Sequence, residues 1–458
     1  MISCNLGQLA DALNAKLCLS NGDSDLITIE SVSTDTRNIK DNGLFIALIG
    51  ERFDAHDFVQ QAIDNGAKAL LVERELAVQV PQLVVGDTKL ALGQLGAWVH
   101  AQCNTPTVAI TGSCGKTTVK EMVAAILSQK GQVLFTNGNF NNDIGVPLTL
   151  LRSTPEDDYA VIEMGANHIG EIAYTTQLAK PDVAVVNNVA AAHLEGFGSI
   201  DGVKQAKGEI YQGLSSGETA IVNLDSQGDA YWQQVLADKK VVTFALENTQ
   251  ADIFASNIKL SSAGYASFTL NAFGNQLRVQ LGIVGGHNVS NALSACALAL
   301  SMGADLEEVA SGLSQVANVK GRVEVKSLTD SITLIDDSYN ASVPAMLAAV
   351  DLLGEFKGQR WLVLGNMAEL GKESLALHQQ VGEHAAPFKF EHVLTYGNDA
   401  KVISQVNNGK HFTSHDEMTM YIEQLLSSSA DETHTILVKG ANSAGMFKIA
   451  NALKENFS

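Results

Sequence analysis

Cysteine is scarce in this chain of 458 residues, and the five present (Cys4, Cys18, Cys103, Cys114 and Cys296) are scattered. No two have CxxC spacing, so neither a disulfide framework nor a zinc site is indicated, and free thiols suit a reducing cytosol. Aromatic residues are only 6%, which leaves Leu, Val, Ile and Ala to fill the cores. Positive charge is also in deficit: 30 Lys and Arg against 50 Asp and Glu give a formal net charge of −20. Nucleic acid and anionic membrane both want a basic face, so neither is expected as a main partner. A phosphorylated small molecule is not excluded, since a pocket can be locally positive within an acidic protein. No uncharged apolar run reaches the roughly 18 residues of a membrane span. The start, Met1-Ile2-Ser3-Cys4-Asn5-Leu6, lacks the charged region and apolar core of a signal peptide. Internal repeats, low-complexity tracts and long charge runs are missing too. The expectation is a cytoplasmic, monomeric protein.

Length predicts about three domains, and 46% hydrophobic residues are enough for several cores. Short apolar runs at residues 44–48, 69–72 and 83–85, with helix-like stretches between them, predict a small α/β domain over 1–86. A helix over 89–102 leads into the next domain, 87–316. There, strands are expected at 108–111, 159–163, 183–187 and 220–223, separated by helical runs, as in a parallel sheet with crossover helices. Residues 241–284 are richer in strand signals and suggest an antiparallel extension. Helices follow over 287–302 and 306–316. The last domain, 317–458, alternates strands at 333–335, 361–364, 392–395 and 435–438 with helices at 342–353, 377–385, 418–426 and 444–453. It reads as a Rossmann-like doubly wound sheet, whose strand exits (Asp336-Asp337, Gly365-Asn366, Gly397-Asn398, Lys439-Gly440) would line the ligand-binding carboxyl edge.

The sharpest motif is Val108-Ala109-Ile110-Thr111-Gly112-Ser113-Cys114-Gly115-Lys116-Thr117-Thr118-Val119: a strand, a glycine turn, then a helix start. Gly112 and Gly115 let backbone amides approach phosphate oxygens, and the helix N-terminus adds partial positive charge. Lys116 can neutralise the β- and γ-phosphates, and the Thr117 hydroxyl can coordinate Mg²⁺. With Ile at position 110, this is the shorter TGxxGKT form of the GxxxxGK[ST] loop. Nucleotide binding is the expectation, and kinases, GTPases and ligases all share such loops. Glu163, at the exit of the 159–163 strand, stands where a second Mg²⁺ ligand would sit. Taken alone it reads as readily as a capping acid, and His193 as a structural histidine.

Those residues gain meaning from their order. The stretches 111–118, Glu163 to His168, Ala192-His193-Leu194-Glu195-Gly196, Lys207-Gly208-Glu209-Ile210, Gly286-His287-Asn288-Val289-Ser290-Asn291-Ala292, Gly321-Arg322 and Asp336-Asp337-Ser338-Tyr339-Asn340-Ala341 together resemble the Mur ligase family. Ser33-Thr34-Asp35-Thr36-Arg37 with residues 50–56, Phe140-Asn141-Asn142-Asp143-Ile144-Gly145, and the 336–341 segment resemble the family's dipeptide-adding branch. The resemblance implies a central P-loop ATPase domain between a small α/β domain and the Rossmann-like domain. It further implies that ATP activates the carboxylate of a UDP-muramoyl tripeptide as an acyl phosphate, which D-Ala-D-Ala then attacks, in cell-wall precursor synthesis.

By the same resemblance, Gly112, Ser113, Gly115, Lys116, Thr117, Thr118, Asn288, Asn291, Arg322 and Asp337 contact ATP. Two Mg²⁺ ions are held around Thr117, Glu163 and His193. Lys207 aligns with a lysine that CO₂ carbamylates, which requires a neutral amine and hence a depressed pKa. Thr34, Asp35, Arg37, Asn141, Asn142, Tyr339 and Asn340 are implied on the substrate side, although Ser33 to Arg37 reads equally well as a capping turn. Two positions depart from the pattern: Asn442 stands where the family commonly has Arg, and Phe447 where an acid often follows Met. The rivals are a sister ligase adding the third-position diamino acid, a polyglutamate synthase, and an ATP-binding regulatory module without ligation.

Overall fold

The computed structural model describes residues 1–18, 26–226, 228, 230–261, 263–316, 320–429 and 431–457. It has three α/β units, each built on its own sheet. The first sheet has five strands in the order Lys16–Cys18, Gln82–Val84, Ala67–Val72, Gly43–Ile46, Ser31–Ser33. Its last four run parallel, and Lys16–Cys18 pairs antiparallel on the edge. Residues 31–33 and 16–18 carry no apolar run and were not expected as strands. The helix Thr88–Cys103 starts on an Asp87 cap that accepts from Leu90 N. It buries Ala91, Leu92, Leu95 and Val99 against Leu44, Ile46, Leu71 and Leu83 of this sheet.

The central sheet has nine strands. Its parallel core runs Val133–Phe135, Tyr159–Glu163, Thr107–Thr111, Val183–Val186, Thr219–Asn223, Lys240–Ala245. The expected antiparallel extension starts later than 241: Lys240–Ala245 and the start of Ile253–Leu260 still pair parallel, and antiparallel pairing begins with Tyr265–Ala272, which runs against both Ile253–Leu260 and Asn275–Val284. The sheet is therefore mixed rather than wholly parallel. Apolar residues face both sides of these strands because helices cover both faces. One layer packs Val108, Ile110 and Val161 on Val119, Met122 and Leu293; the other packs Ala109, Ile162 and Val186 on Ile172, Ala206 and Ile210.

The third sheet orders its strands Glu324–Ser327, Ile332–Asp337, His434–Lys439, Gln359–Gly365, His392–Tyr396, Lys410–Phe412. All pairs are parallel except the first, a charged antiparallel edge strand that hydrophobic periodicity does not reveal. The last strand, His434–Lys439, returns to lie parallel between Ile332–Asp337 and Gln359–Gly365, and this change of strand order makes the sheet doubly wound. No helix among the described residues is long and apolar enough to cross a membrane.

Candidate active site

A cleft of about 840 Å³ lies where the carboxyl ends of the second and third sheets meet. Strand Thr107–Thr111 delivers the loop on one wall. Gly112 has φ +153 and Gly115 φ +77; a Cβ on Gly115 would lie 2.3 Å from Asn291 Oδ1, so only glycine fits. The helix Lys116–Leu127 begins at once after it. Asn188 holds the loop from the neighbouring strand exit: Ser113 N donates to its carbonyl (3.0 Å) and Cys114 N to its Oδ1 (2.9 Å). Ser113 Oγ donates to Ala190 O (3.1 Å). Lys116 Nζ donates to Gly112 O (2.8 Å), which keeps it over the loop. Desolvation, with Arg322 adding to it, holds its pKa below the usual lysine range despite the opposing field of Glu163.

Glu163 is 1% exposed at the end of its strand. Its carboxylate accepts from Thr117 Oγ1 (2.9 Å) and Asn141 Nδ2 (2.7 Å). Three oxygens from Thr117 and Glu163 thus face the phosphate loop, a hard donor set that suits Mg²⁺ shared with phosphate oxygens. Among the described residues no three Asp, Glu, His or Cys side chains form a prebuilt metal cage, so an ion here needs nucleotide oxygens as further ligands.

Lys207 is 1% exposed, and its Nζ is a buried nitrogen with no hydrogen-bond partner. It lies 5.2 Å from the centre of the Phe197 ring. Burial first, then Lys116, pushes its pKa well below the usual lysine range, against the pull of Glu171 and Glu209. Carbamate formation needs an unprotonated amine, and the burial that lowers this pKa favours that form. His193 sits with φ +54 ahead of the short helix Leu194–Phe197, and its Nδ1 meets the Glu369 carboxylate of the third unit. Desolvation and Lys116 lower its pKa, while Glu369 raises it.

The remaining expected residues divide. Thr118, Asn141, Asn142, Asn291, Arg322, Asp337, Tyr339 and Asn340 all reach the cleft. Asn288 is 2% exposed and spends its amide inside the fold, donating to Val284 O (2.7 Å) and accepting from Asn291 Nδ2 (2.9 Å). Asp337 accepts from Lys439 Nζ (2.6 Å), and Arg322 stacks on Tyr339 at 4.2 Å. Asp336, flagged beside it, accepts from Lys454 Nζ (2.7 Å) and Ser338, a structural role. Thr34, Asp35 and Arg37 lie outside the cleft. Asp35 grips Arg37 Nε and Nη2 (2.9 Å each), which draws its pKa down to about 2, and in this structure the two residues pair with each other in the turn after Ser31–Ser33. Asn442 is exposed at the cleft rim, and Phe447 opens the helix Phe447–Phe457. Sequence reasoning missed Asn187, Asn188 and Glu369. Asn187 and Asn188 follow a recognised strand exit; Glu369 had no cue, because its partner is 176 residues away.

Three family models match in chain order: the Mur ligase family, catalytic domain over residues 28–100, the Mur ligase middle domain over 110–299, and the Mur ligase, glutamate ligase domain over 321–442. The chain is 50% identical to the UDP-N-acetylmuramoyl-tripeptide--D-alanyl-D-alanine ligase of Escherichia coli (strain K12), over 100% of this chain and 99% of that one. It is 45% identical to the protein of the same name in Haemophilus influenzae, over 99% of each. Among solved structures, MurF from Acinetobacter baumannii matches with TM-score 0.94 at 35% identity over 100% of both chains. MurF ligase from Thermotoga maritima in complex with ADP matches with TM-score 0.82 at 26% identity, over 93% of this chain and 97% of that one. The three units, the phosphate loop and the cleft between the second and third sheets are those of a known architecture, and the chain belongs to the Mur ligase family.

Proposed function

We propose that this chain is an ATP-dependent, ADP-forming ligase that joins D-alanyl-D-alanine to UDP-N-acetylmuramoyl tripeptide, yielding the UDP-muramoyl pentapeptide of peptidoglycan synthesis. The observation that carries the reading is the convergence on one cleft of a phosphate loop and the Thr117–Glu163 pair, together with the unpartnered amine of Lys207, which is buried against the Phe197 ring outside the cleft lining. A nucleotide switch needs the first but not the last. Whole-chain similarity to ligases of that name supports the substrate pair over the diamino-acid-adding sister and the polyglutamate synthases.

The tripeptide carboxylate attacks the γ-phosphorus, ADP departs, and an acyl phosphate forms. The dipeptide amine then adds to the acyl carbon, loses its proton, and the tetrahedral intermediate expels phosphate. Lys116 and the amides of residues 112–118 hold the β- and γ-phosphates where charge moves from one oxygen set to another. Thr117 and Glu163 would hold one Mg²⁺, Glu163 and His193 would lie around a second, and a carbamate on Lys207 would add an anionic oxygen ligand. These ions supply charge neutralisation between two anionic reactants. Arg322, Asp337 and Asn291 serve the nucleotide side, with Asn288 orienting Asn291 from behind; Asn141, Asn142, Tyr339 and Asn340 serve the peptide. The segment 1–86 holds the UDP end through Thr34, Asp35 and Arg37 once the Asp35–Arg37 pair opens. Residues 87–316 hold MgATP, and 317–458 bring the dipeptide. The enzyme works as a cytoplasmic monomer.

The test is phosphate release from MgATP with UDP-muramoyl tripeptide, with and without D-Ala-D-Ala. Release that needs both substrates and yields the pentapeptide supports the reading. Turnover only with UDP-muramoyl dipeptide and a diamino acid would move the chain to the sister reaction.

A further inference from the structure

Glu369 is carried by the loop after strand Gln359–Gly365, in the third unit, yet it makes two contacts with the second. Its carboxylate meets His193 Nδ1, and its carbonyl accepts from Glu195 N (3.1 Å). The loop that presents it is not slack. Asn366 Oδ1 accepts from Ala400 N (2.8 Å), and its carbonyl accepts from Ala441 N (2.8 Å). Met367 N donates to His378 Nε2 (2.8 Å), and Leu370 is 3% exposed in the core of the unit. Glu369 itself takes φ +60, a left-handed backbone that a non-glycine residue adopts only when its surroundings impose it. On the other side, His193 also has positive φ, and its ring stands edge-on to Phe197 at 6.2 Å, the ring that Lys207 Nζ overlies. The imidazole is thus clasped from two sides.

An imidazole whose Nδ1–H is donated to a carboxylate keeps Nε2 as its lone-pair nitrogen, with the ring plane fixed. We propose that Glu369 is a positioning residue for His193: it fixes the Nε2-unprotonated tautomer and its aim, and it does so only when the third unit is docked on the second. The inference rests on the reading of His193 as a group beside the second metal ion. It deepens that reading by tying completion of the metal site to closure of the unit that brings the dipeptide. Glu369 acts through His193, and the docked arrangement supplies what the second unit alone lacks.

The test measures Mn²⁺ affinity of the ADP-loaded full chain by electron paramagnetic resonance, beside steady-state ligation, for Glu369→Ala, Glu369→Gln and His193→Ala. Glu369 is exposed, so its variants keep the fold. The expectation is a weaker-site Mn²⁺ affinity lowered roughly 10- to 100-fold in Glu369→Ala, with kcat lowered and KM for UDP-muramoyl tripeptide unchanged. Glu369→Gln, which keeps an acceptor oxygen, recovers part of both. Parental Mn²⁺ affinity in Glu369→Ala beside a loss in His193→Ala would overturn the role of Glu369 alone, as would a Gln variant no better than Ala. Parental affinity in His193→Ala as well would overturn the metal reading of His193, and this inference with it.

Discussion

Replacing Gly115 by alanine tests the phosphate loop at its tightest point. Two costs follow from the geometry. The backbone stands at φ +77, a region in which an L side chain costs about 1–2 kcal/mol. The new methyl would lie 2.3 Å from Asn291 Oδ1 and 2.7 Å from Asn187 Nδ2. Asn291 must then retreat, which breaks the 3.0 Å bond it accepts from Asn187. Both side chains are buried, and stranding one buried polar group costs about 1–3 kcal/mol. The sum is about 2–5 kcal/mol, confined to the central unit. Because a three-unit chain need not unfold in one step, the assay is the denaturant midpoint of the transition that ADP shifts, followed beside ADP affinity. Asn291→Ala in the same background removes the obstructing oxygen, so the double variant should lose less than the sum of the singles, the mark of groups in contact. A Gly115→Ala protein within about 0.5 kcal/mol of the parent, or strict additivity with Asn291→Ala, would refute the argument.

Lys207→Met keeps the length of the side chain and removes a buried amine with no partner, so the ligand-free protein should melt higher while ligation is lost. The parent alone should show a carbamate resonance with ¹³C-bicarbonate; a lower melting temperature would contradict the account. Asp337→Ala leaves the buried Lys439 ammonium, now 2.6 Å from that carboxylate, without its counter-charge. The third unit should lose about 3–5 kcal/mol by urea unfolding, and the double replacement Asp337→Leu with Lys439→Met much less. His100 is buried between Ser153 Oγ and Thr107 Oγ1 at 2.8 Å each, and desolvation lowers its pKa from 6.5. The unfolded chain then binds the proton more readily than the native one, so stability is full above pH 6.5 and falls as pH drops below it. In His100→Gln the urea midpoint should decline less steeply between about pH 6.5 and 5.

Much of this architecture could be read along the chain, and the parts that could not share one property. The strand at Tyr159–Glu163, the loop from Gly112 to Thr118 and the helices of the last unit are local: apolar spacing, glycines and caps lie within one element. The carboxylate at Glu163 and the amine at Lys207 stood out once their order along the chain was compared with a family, although the burial that lowers the lysine's pKa comes only with the fold. The edge strand Glu324–Ser327 escaped because its residues are charged and its pairing is its only reason to be extended. The parallel pairing of Lys240–Ala245 was missed for a like reason, since strand signals do not carry direction. At the site, the family resemblance put Asn288 on the nucleotide, but Val284 O and Asn291 claim its amide. Asp35 and Arg37, two residues apart, found each other first. What the sequence by itself determined was the loop chemistry and the alternation of elements, because both depend on neighbours a few residues away. Which side chains meet, as Glu369 meets His193 and Lys439 meets Asp337, was decided only by tertiary structure, because 176 and 102 residues separate those pairs and only the packing of whole sheets brings them within reach.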